Sequence, residues 1–322
     1  MAEVAEKTEA AVLSTETAAG TPAVKTVELT KRFGGTVALA GLTMTVPRGE
    51  VFGFLGPNGA GKTTAVKLLL GLLRPSSGEG WLLGKPVGDL QTRRHIGYLP
   101  ELFRYQSWLS ATEVLALHCE LAPLARSSWK DEIGTALDTV GLTDRAGDRV
   151  GTFSKGMQQR LGLGAALLGE PELVFLDEPT SALDPVGRHD VREIIRGLAA
   201  RGTAVFLNSH LLSEVEQVCD RVAVVDHGRV IASGTMDELL GGGSAVRVRV
   251  SGLSQADKNA LSSFGRIDDE GDQLTFAKLD PDRVPELVAA IVEKGGRVYE
   301  VAPRHETLED RFLQLLDDEE EK

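Results

Sequence analysis

Two cysteines in 322 residues are too few for a disulfide framework. Cys119 and Cys219 stand far apart and lack the spacing of metal ligands, so both read as small buried hydrophobes in a reducing compartment. Positive charge is also in short supply. The chain has 35 Lys and Arg against 47 Asp and Glu, a formal charge of −12. A chain of that sign repels nucleic acid and anionic lipid, and no nucleic-acid partner is expected. Much of the excess sits near the ends, as in DDEEEK at 317–322, so it says little about the folded core. No apolar run has the length of a membrane-spanning helix; the densest, Ala65 to Leu73, is short and contains Lys67 and Gly71. Residues 1–24 are rich in Ala, Thr and Glu and lack the basic start and apolar segment of a secretory signal. They read as a disordered lead-in. No internal repeat is apparent. The chain reads as soluble, with any membrane contact made through a partner.

What is present is ordinary in bulk and specific in detail. Apolar content of 42% and charged content of 25% suit a globular protein, and the length allows one large domain plus a smaller one. The specific stretch is VFGFLGPNGAGKTT, Val51 to Thr64. A β-prone apolar run stops at Gly56, and Pro57, Asn58, Gly59, Ala60 and Gly61 cannot continue a strand. Lys62, Thr63 and Thr64 then open a helical pattern. Gly56, Gly61, Lys62 and Thr63 stand at the spacing G-x-x-x-x-G-K-[ST], the phosphate-cradling loop. Glycines let the backbone curl so that N–H groups point inward, and a helix N-terminus adds partial positive charge. Lys62 is placed to reach the β and γ phosphates, and the Thr63 hydroxyl to ligate Mg²⁺. The competing reading is a glycine-rich turn that merely joins a strand to a helix.

Along the chain, residues 25–52 alternate like strands, with turns at Gly34-Gly35 and Pro47-Arg48-Gly49. After the phosphate loop and its helix, WLLG and IGYLP are short strand candidates. From Tyr105 to Leu168 the period is helical. LVFLD (173–177), TAVFLNS (203–209) and RVAVVD (221–226) return to strand. The helix expected at 185–200 makes a β–α–β unit and implies parallel pairing. His227-Gly228 reads as a hairpin turn into RVIASG. Gly241-Gly242-Gly243-Ser244 is a flexible linker. Beyond it the order strand, helix, two strands, helix, strand and a last helix at 306–316 suggests a small α+β domain over 245–316, with 317–322 as an acidic tail.

The strand LVFLD carries Asp177 to its C-terminal end, where parallel sheets bind ligands. Asp177 is expected to hold the Mg²⁺ shell, and Glu178 to orient and deprotonate an attacking water. The interval from Lys62 to Asp177 leaves room for an inserted subdomain. Two acids after a strand are otherwise a solvated turn.

FSKGMQQRLGLGAALL (153–168) resembles the signature motif of ATP-binding cassette (ABC) ATPases, ordinarily Leu-Ser-Gly-Gly-Gln. Phe153, Lys155 and Met157 replace the leucine, the first glycine and the glutamine, while Ser154 and Gly156 remain. In the family these last two face the γ-phosphate, and the departures are similar to those in type-two ABC exporters. The segment alone is equally a helix start capped by Ser154. Under the resemblance, Phe33 matches the aromatic that stacks on adenine, with a core phenylalanine as the competing reading. His210, in LNSHLL, matches the switch histidine, and Ser181 and Asp184 the loop through which two cassettes touch. Glu101, in GYLPE, stands where most of the family has a glutamine that touches Mg²⁺, water and the membrane partner. A carboxylate also ligates Mg²⁺.

The resemblance covers about residues 25–240. It implies an α/β P-loop NTPase cassette with a helical subdomain at about 102–168. Its substrate is ATP with Mg²⁺, hydrolysed with Lys62, Glu178 and His210 at the site. ATP is held by Phe33 and Gly56–Thr64 of one copy and by Ser154, Lys155, Gly156 and Met157 of the other, so the partner cassette is expected to be a second copy. Separately encoded permease subunits hold the pair at the cytoplasmic side of the inner membrane, and the direction implied is export. Phe103, Tyr105 and Trp108 lie where the family seats a permease helix, and read either as that seat or as subdomain core. The domain after the linker resembles the C-terminal extension of type-two exporter ATPases. A soluble ABC-type regulator of a ribosomal or DNA-associated process is the alternative. It is disfavoured by the single cassette, the missing coiled-coil insertion and the acidic charge. A non-catalytic, ATP-gated scaffold is the third reading, and the presence of Glu178 and His210 weighs against it.

Overall fold

The hydrophobic period changes from two to continuous and then to helical along the chain, and each change marks an element. The computed structural model describes residues 20–122, 124–181, 183–240, 245–277, 279–304 and 307–320. The linker 241–244, most of the lead-in and the last two residues of the tail lie outside the described residues. By their contacts the described residues divide between Ser233 and Gly234 into two compact units.

The first unit begins with an antiparallel pair, β1 (Val24–Phe33) and β2 (Thr36–Val46), turned at Gly34-Gly35. Ala23 and Val24, which the sequence reading leaves in the lead-in, are fully buried against this sheet because Ala23 N–H donates to Val46 O at 2.9 Å. After β3 (Val51–Leu55) and the helix Lys62–Leu69, the strands β4 (Ser77–Leu82) and β5 (Lys85–Pro86) return to β1, making a sheet of order β2-β1-β4-β5. Next come β6 (Ile96–Leu99), the helices Ala111–Leu121, Trp129–Thr139 and Lys155–Ala166, β7 (Leu173–Asp177), helix Pro185–Ala200, β8 (Ala204–Asn208), helix Leu212–Val218, β9 (Arg221–Asp226) and β10 (Arg229–Thr235).

The second sheet has the order β10-β9-β3-β8-β7-β6. Its β3 lies parallel to both β8 and β9, and β7 lies parallel to both β6 and β8. Every residue of β3, β7 and β8 is buried, as strands covered on both faces require. Phe206 is the centre of an aromatic cluster, with ring centroids 5.7 Å from Phe52, 5.2 Å from Phe54 and 5.1 Å from Phe175. That core fixes the height at which the strands end, and hence where the site residues lie. Cys119 and Cys219 are buried free thiols.

The turn after β3 needs glycine for steric reasons. A Cβ on Gly56 would meet Val225 O at 2.2 Å, and one on Gly61 would meet Ala38 O at 2.4 Å. Gly56→Ala is therefore expected to destabilise the unit by about 1–3 kcal/mol, the usual range for overpacking, read as a lower midpoint in urea unfolding.

The second unit holds β11 (Ala245–Ser251), helix Gln255–Ala260, β12 (Arg266–Asp269), β13 (Gln273–Ala277), helix Val284–Glu293 and β14 (Arg297–Arg304). The sheet order is β12-β13-β11-β14, antiparallel throughout, which is the β-α-β-β-α-β arrangement of a ferredoxin-like unit. Val246, Val248 and Val250 alternate inward from β11 and pack with Leu274, Phe276, Leu287 and Ile291. The last helix, Leu308–Glu320, runs past the end expected at 316. It starts on a reciprocal cap in which Asp310 N–H donates to Thr307 Oγ1 at 3.1 Å, and no breaker interrupts its acidic end.

Candidate functional site

The helix Lys62–Leu69 starts without a side-chain cap. Gly61 holds its N-cap position at φ 97°, and the first turn has no acidic residue. Its first amides therefore keep their donor capacity and partial positive charge for an anion. The loop is pinned from behind: Gly228 N–H donates to Ala60 O at 3.0 Å, and Ala40 N–H donates to Gly228 O at 2.9 Å. Lys62 Nζ folds back over the loop and donates to Gly56 O at 2.6 Å and Pro57 O at 3.1 Å. Asn58, Gly59 and Thr63 are exposed, while Ala60 is buried.

Asp177 and Glu178 emerge at the end of β7 and are both buried. Asn208, the last residue of β8, donates through Nδ2 to Asp177 Oδ1 at 2.5 Å, and its carbonyl accepts the Glu178 amide at 2.8 Å. Glu178 has φ 53°, an unusual backbone for a non-glycine residue. Its carbonyl is held by Ser181 Oγ at 3.1 Å and Gln159 Nε2 at 3.5 Å, and Oε1 accepts the His210 amide at 2.9 Å. His210 Nδ1 lies 2.8 Å from the same Oε1. One carboxylate oxygen is thus fixed. The other, Oε2, is buried and has no hydrogen-bond partner among the described residues.

Lys62, Asp177, Glu178 and Glu101 act on one another. Desolvation lowers the Lys62 pKa, and the charges of Glu178, Asp177 and Glu101 oppose that fall. Desolvation raises the Asp177 pKa, the Asn208 bond lowers it, and the charges of Glu101 and Glu178 raise it further. A buried aspartate whose negative charge is disfavoured by desolvation and by neighbouring carboxylates is a setting in which a cation binds well. Thr63, Asp177 and Glu101 offer only oxygen donors, a set suited to a hard divalent cation such as Mg²⁺. Among the described residues no cluster of three or more His, Cys, Asp or Glu side chains forms an all-protein metal cage.

The remaining sequence candidates lie around this centre. Phe33, at the end of β1, is 49% exposed and has Lys31 Nζ 5.0 Å from its ring centroid, so it is not a core residue. If the ring stacks on a base, Phe33→Ala should weaken nucleotide binding about tenfold, within the roughly 1–3 kcal/mol of an aromatic–base stack, as measured by fluorescent-nucleotide titration. Ser154 caps the helix Lys155–Ala166 by accepting the Met157 amide at 3.2 Å. Ser154 and Lys155 are exposed. No hydrogen bond among the described residues joins Ser154–Met157 to Gly56–Thr64. The signature instead touches the loop after Glu178, where a Cβ on Gly156 would lie 3.2 Å from Leu183 Cδ2. Asp184 caps the helix Pro185–Ala200 through the Gly187 amide at 2.8 Å.

The three aromatics after Glu101 divide. Phe103 and Tyr105 are half-buried and pack together at 5.2 Å, and Phe103 reaches Gly162 of the signature helix. Burial pushes the Tyr105 hydroxyl well above its usual range. Trp108 is 69% exposed and is not core; Leu102, Leu117 and Leu121 are also exposed. Sequence reasoning missed Asn208 and Gln159. The signal for Asn208 was a polar residue ending an otherwise apolar strand, while nothing local marked Gln159.

Residues 39–181 match the family model described as ABC transporter. An ABC transporter ATP-binding protein of Nostoc sp. is 41% identical over 283 residues, covering 87% of this chain and 83% of that protein. The daunorubicin resistance ATP-binding protein DrrA3 of Streptomyces coeruleorubidus is 40% identical over 298 residues, covering 90% and 94%. A solved ATP-binding subunit of an ABC transporter superposes with a TM-score of 0.63 at 31% identity, covering 69% of this chain and 93% of that one.

Proposed function

Because this chain belongs to the ATP-binding, ATP-hydrolysing proteins of ABC transporters, we propose that it powers an exporter by pairing with a second copy around ATP. The observation that carries the hydrolytic part is the pair of unlike oxygens on Glu178. Oε1 is held by His210, and Oε2 is buried without a hydrogen-bond partner among the described residues. A water beside Oε2 loses its proton to Glu178 as its oxygen attacks the γ-phosphorus. The bond from that phosphorus to the β–γ bridging oxygen breaks, and the electron pair stays on ADP. Lys62 and the amides of Gly59–Thr64 stabilise the negative charge that spreads over the phosphates. His210 keeps Glu178 turned toward the water. A Mg²⁺ held by Thr63 and Asp177, with Glu101 beside them, supplies charge neutralisation of the β and γ phosphates when bound.

Ser154 and Gly156 are exposed or half-exposed and, among the described residues, make no hydrogen bond to their own phosphate loop, which suits a role toward a second copy. The γ-phosphate then acts as a removable part of the interface, with Ser181 and Asp184 beside it. Among the described residues no helix is long and apolar enough to cross a membrane. Transport therefore calls for separate permease subunits, and this chain sits against them on the cytoplasmic side of the membrane. Trp108, Leu102, Leu117 and Leu121 give that contact its apolar surface. Export is the direction suggested by the daunorubicin resistance relative, which aligns nearly end to end.

The test is purification of the tagged chain from membranes with whatever multi-span protein accompanies it, followed by ATP-driven transport in inverted vesicles. Recovery of the chain only with ribosomes or DNA would overturn the reading. Trp108→Glu is expected to weaken permease co-purification at least tenfold, since a buried charge without a partner costs several kcal/mol, and to leave the ATP affinity of the isolated chain unchanged.

A further inference from the structure

Two loops of the site run straight into helices, and those helices are tied to each other. Asp184 caps the helix Pro185–Ala200, and His210 stands just ahead of the helix Leu212–Val218. Arg192, midway along the first helix, donates through Nη1 to Glu214 Oε1 at 3.0 Å and Oε2 at 2.8 Å. The Arg192 side chain is 15% exposed and that of Glu214 is 9% exposed. One turn further on, Arg196 Nη2 donates to Gln217 O at 2.7 Å.

Stability alone is a poor explanation for such a pair. Desolvating two charges costs about as much as their attraction returns, and well-packed apolar residues of similar volume hold helices together as well. Arg192 Nε is moreover buried without a hydrogen-bond partner among the described residues, which adds to the cost. What the ion pair supplies is a short tie between the helices, because one guanidinium nitrogen, Nη1, sits astride both carboxylate oxygens and fixes the distance between them. The link also closes a circuit. From Asp184 it passes along one helix to Arg192, across to Glu214, and back along the other helix to His210. His210 holds Glu178 Oε1, and the Glu178 carbonyl is held by Ser181, which leads back toward Asp184.

We propose that Arg192 and Glu214 are positioning residues that make the His210 grip on Glu178 depend on where the Asp184 loop sits, so that hydrolysis starts when a second copy presses on that loop. This rests on the pairing of two copies proposed above. The coupling runs through packed helices and hydrogen bonds, with no contact between the ion pair and the nucleotide.

The experiment uses the full chain carrying Arg192→Met and Glu214→Met together, which removes both charges and leaves none orphaned. Thermal melting should stay within about 4 °C of wild type. ATP affinity and KM should be unchanged, and in a Glu178→Gln background ATP should pair the double variant at the wild-type concentration. Turnover should fall about tenfold or more, the scale of a small misplacement of a reacting group. The imidazole nitrogen NMR signals of His210 should shift. Arg192→Lys, which keeps the charge but loses the length and planar head group of arginine, should lie between.

Wild-type turnover in the double variant would overturn the proposal, leaving the pair as packing. Loss of ATP-driven pairing along with turnover would also overturn it, since the pair would then act on association. If the double variant does not fold, Arg192→Lys decides alone, and unchanged turnover with an unmoved His210 signal counts against us. If Glu178→Gln alone fails to pair with ATP, the dimer reading has failed, and that outcome is recognised before any Arg192 variant is made.

Discussion

Glu178→Gln is expected to lower ATP turnover by about 10²–10⁴-fold, the contribution of a positioned general base, while leaving ATP binding intact. The substitution keeps the size of the side chain and its acceptor oxygen, so the bond from the His210 amide to Oε1 survives. The oxygen that loses its proton affinity is Oε2, the one without a hydrogen-bond partner among the described residues. Binding and hydrolysis should therefore separate. ATP continues to sit on the amides and lysine of the loop, and a pair of copies bridged by uncleaved ATP should persist in gel filtration, whereas wild type parts as ADP forms. A variant that hydrolyses ATP at the wild-type rate would remove Glu178 from its assigned role.

The second large effect is at Lys62. Lys62→Met should raise the Kd for ATP about 10–100-fold, the magnitude of losing a charge-assisted hydrogen bond worth roughly 1.5–3 kcal/mol, as read by calorimetry. Lys62 is also expected to set the alkaline edge of kcat/KM. Its pKa is lowered by desolvation, so as pH rises it gives up its proton earlier than an exposed lysine does. Asp177 is expected to set the acid edge from the opposite side. Its pKa is raised, chiefly by desolvation, so as pH falls it takes up a proton earlier than an ordinary aspartate and loses its hold on a cation. Both shifts move inward in the nucleotide-free protein, and the pH profile of kcat/KM should be narrower than free lysine and aspartate would give. In Lys62→Met the residual activity should lose its alkaline limb and keep its acid limb. A profile whose alkaline limb is unmoved would assign that limb to another group.

Much of the local architecture was legible because local chemistry decides it. LVFLD and RVAVVD have the same bounds in the structure as in the sequence, since a fully buried strand is a continuous apolar run with abrupt polar ends. The turn after β3 was legible for a steric reason, because only glycine tolerates the approach of Val225 O and Ala38 O. The end of the last helix was misjudged, because acidic residues after an apolar stripe look like a tail until a capped helix carries them.

The sequence by itself determined which residues could meet a polyphosphate and in what chemical form: a glycine-framed loop ending in lysine and threonine, and two adjacent acids at a strand end. These are short-range patterns, and backbone sterics and hydrophobic period act within a few residues. Only the tertiary structure decided that β3 lies between β8 and β9, bringing Lys62 beside Asp177 and Glu178. The same holds for Phe33 facing solvent, and for one oxygen of Glu178 being held by His210 while the other is left without a partner. Those outcomes depend on contacts between residues far apart in the chain, settled by how the sheets and helices share one core.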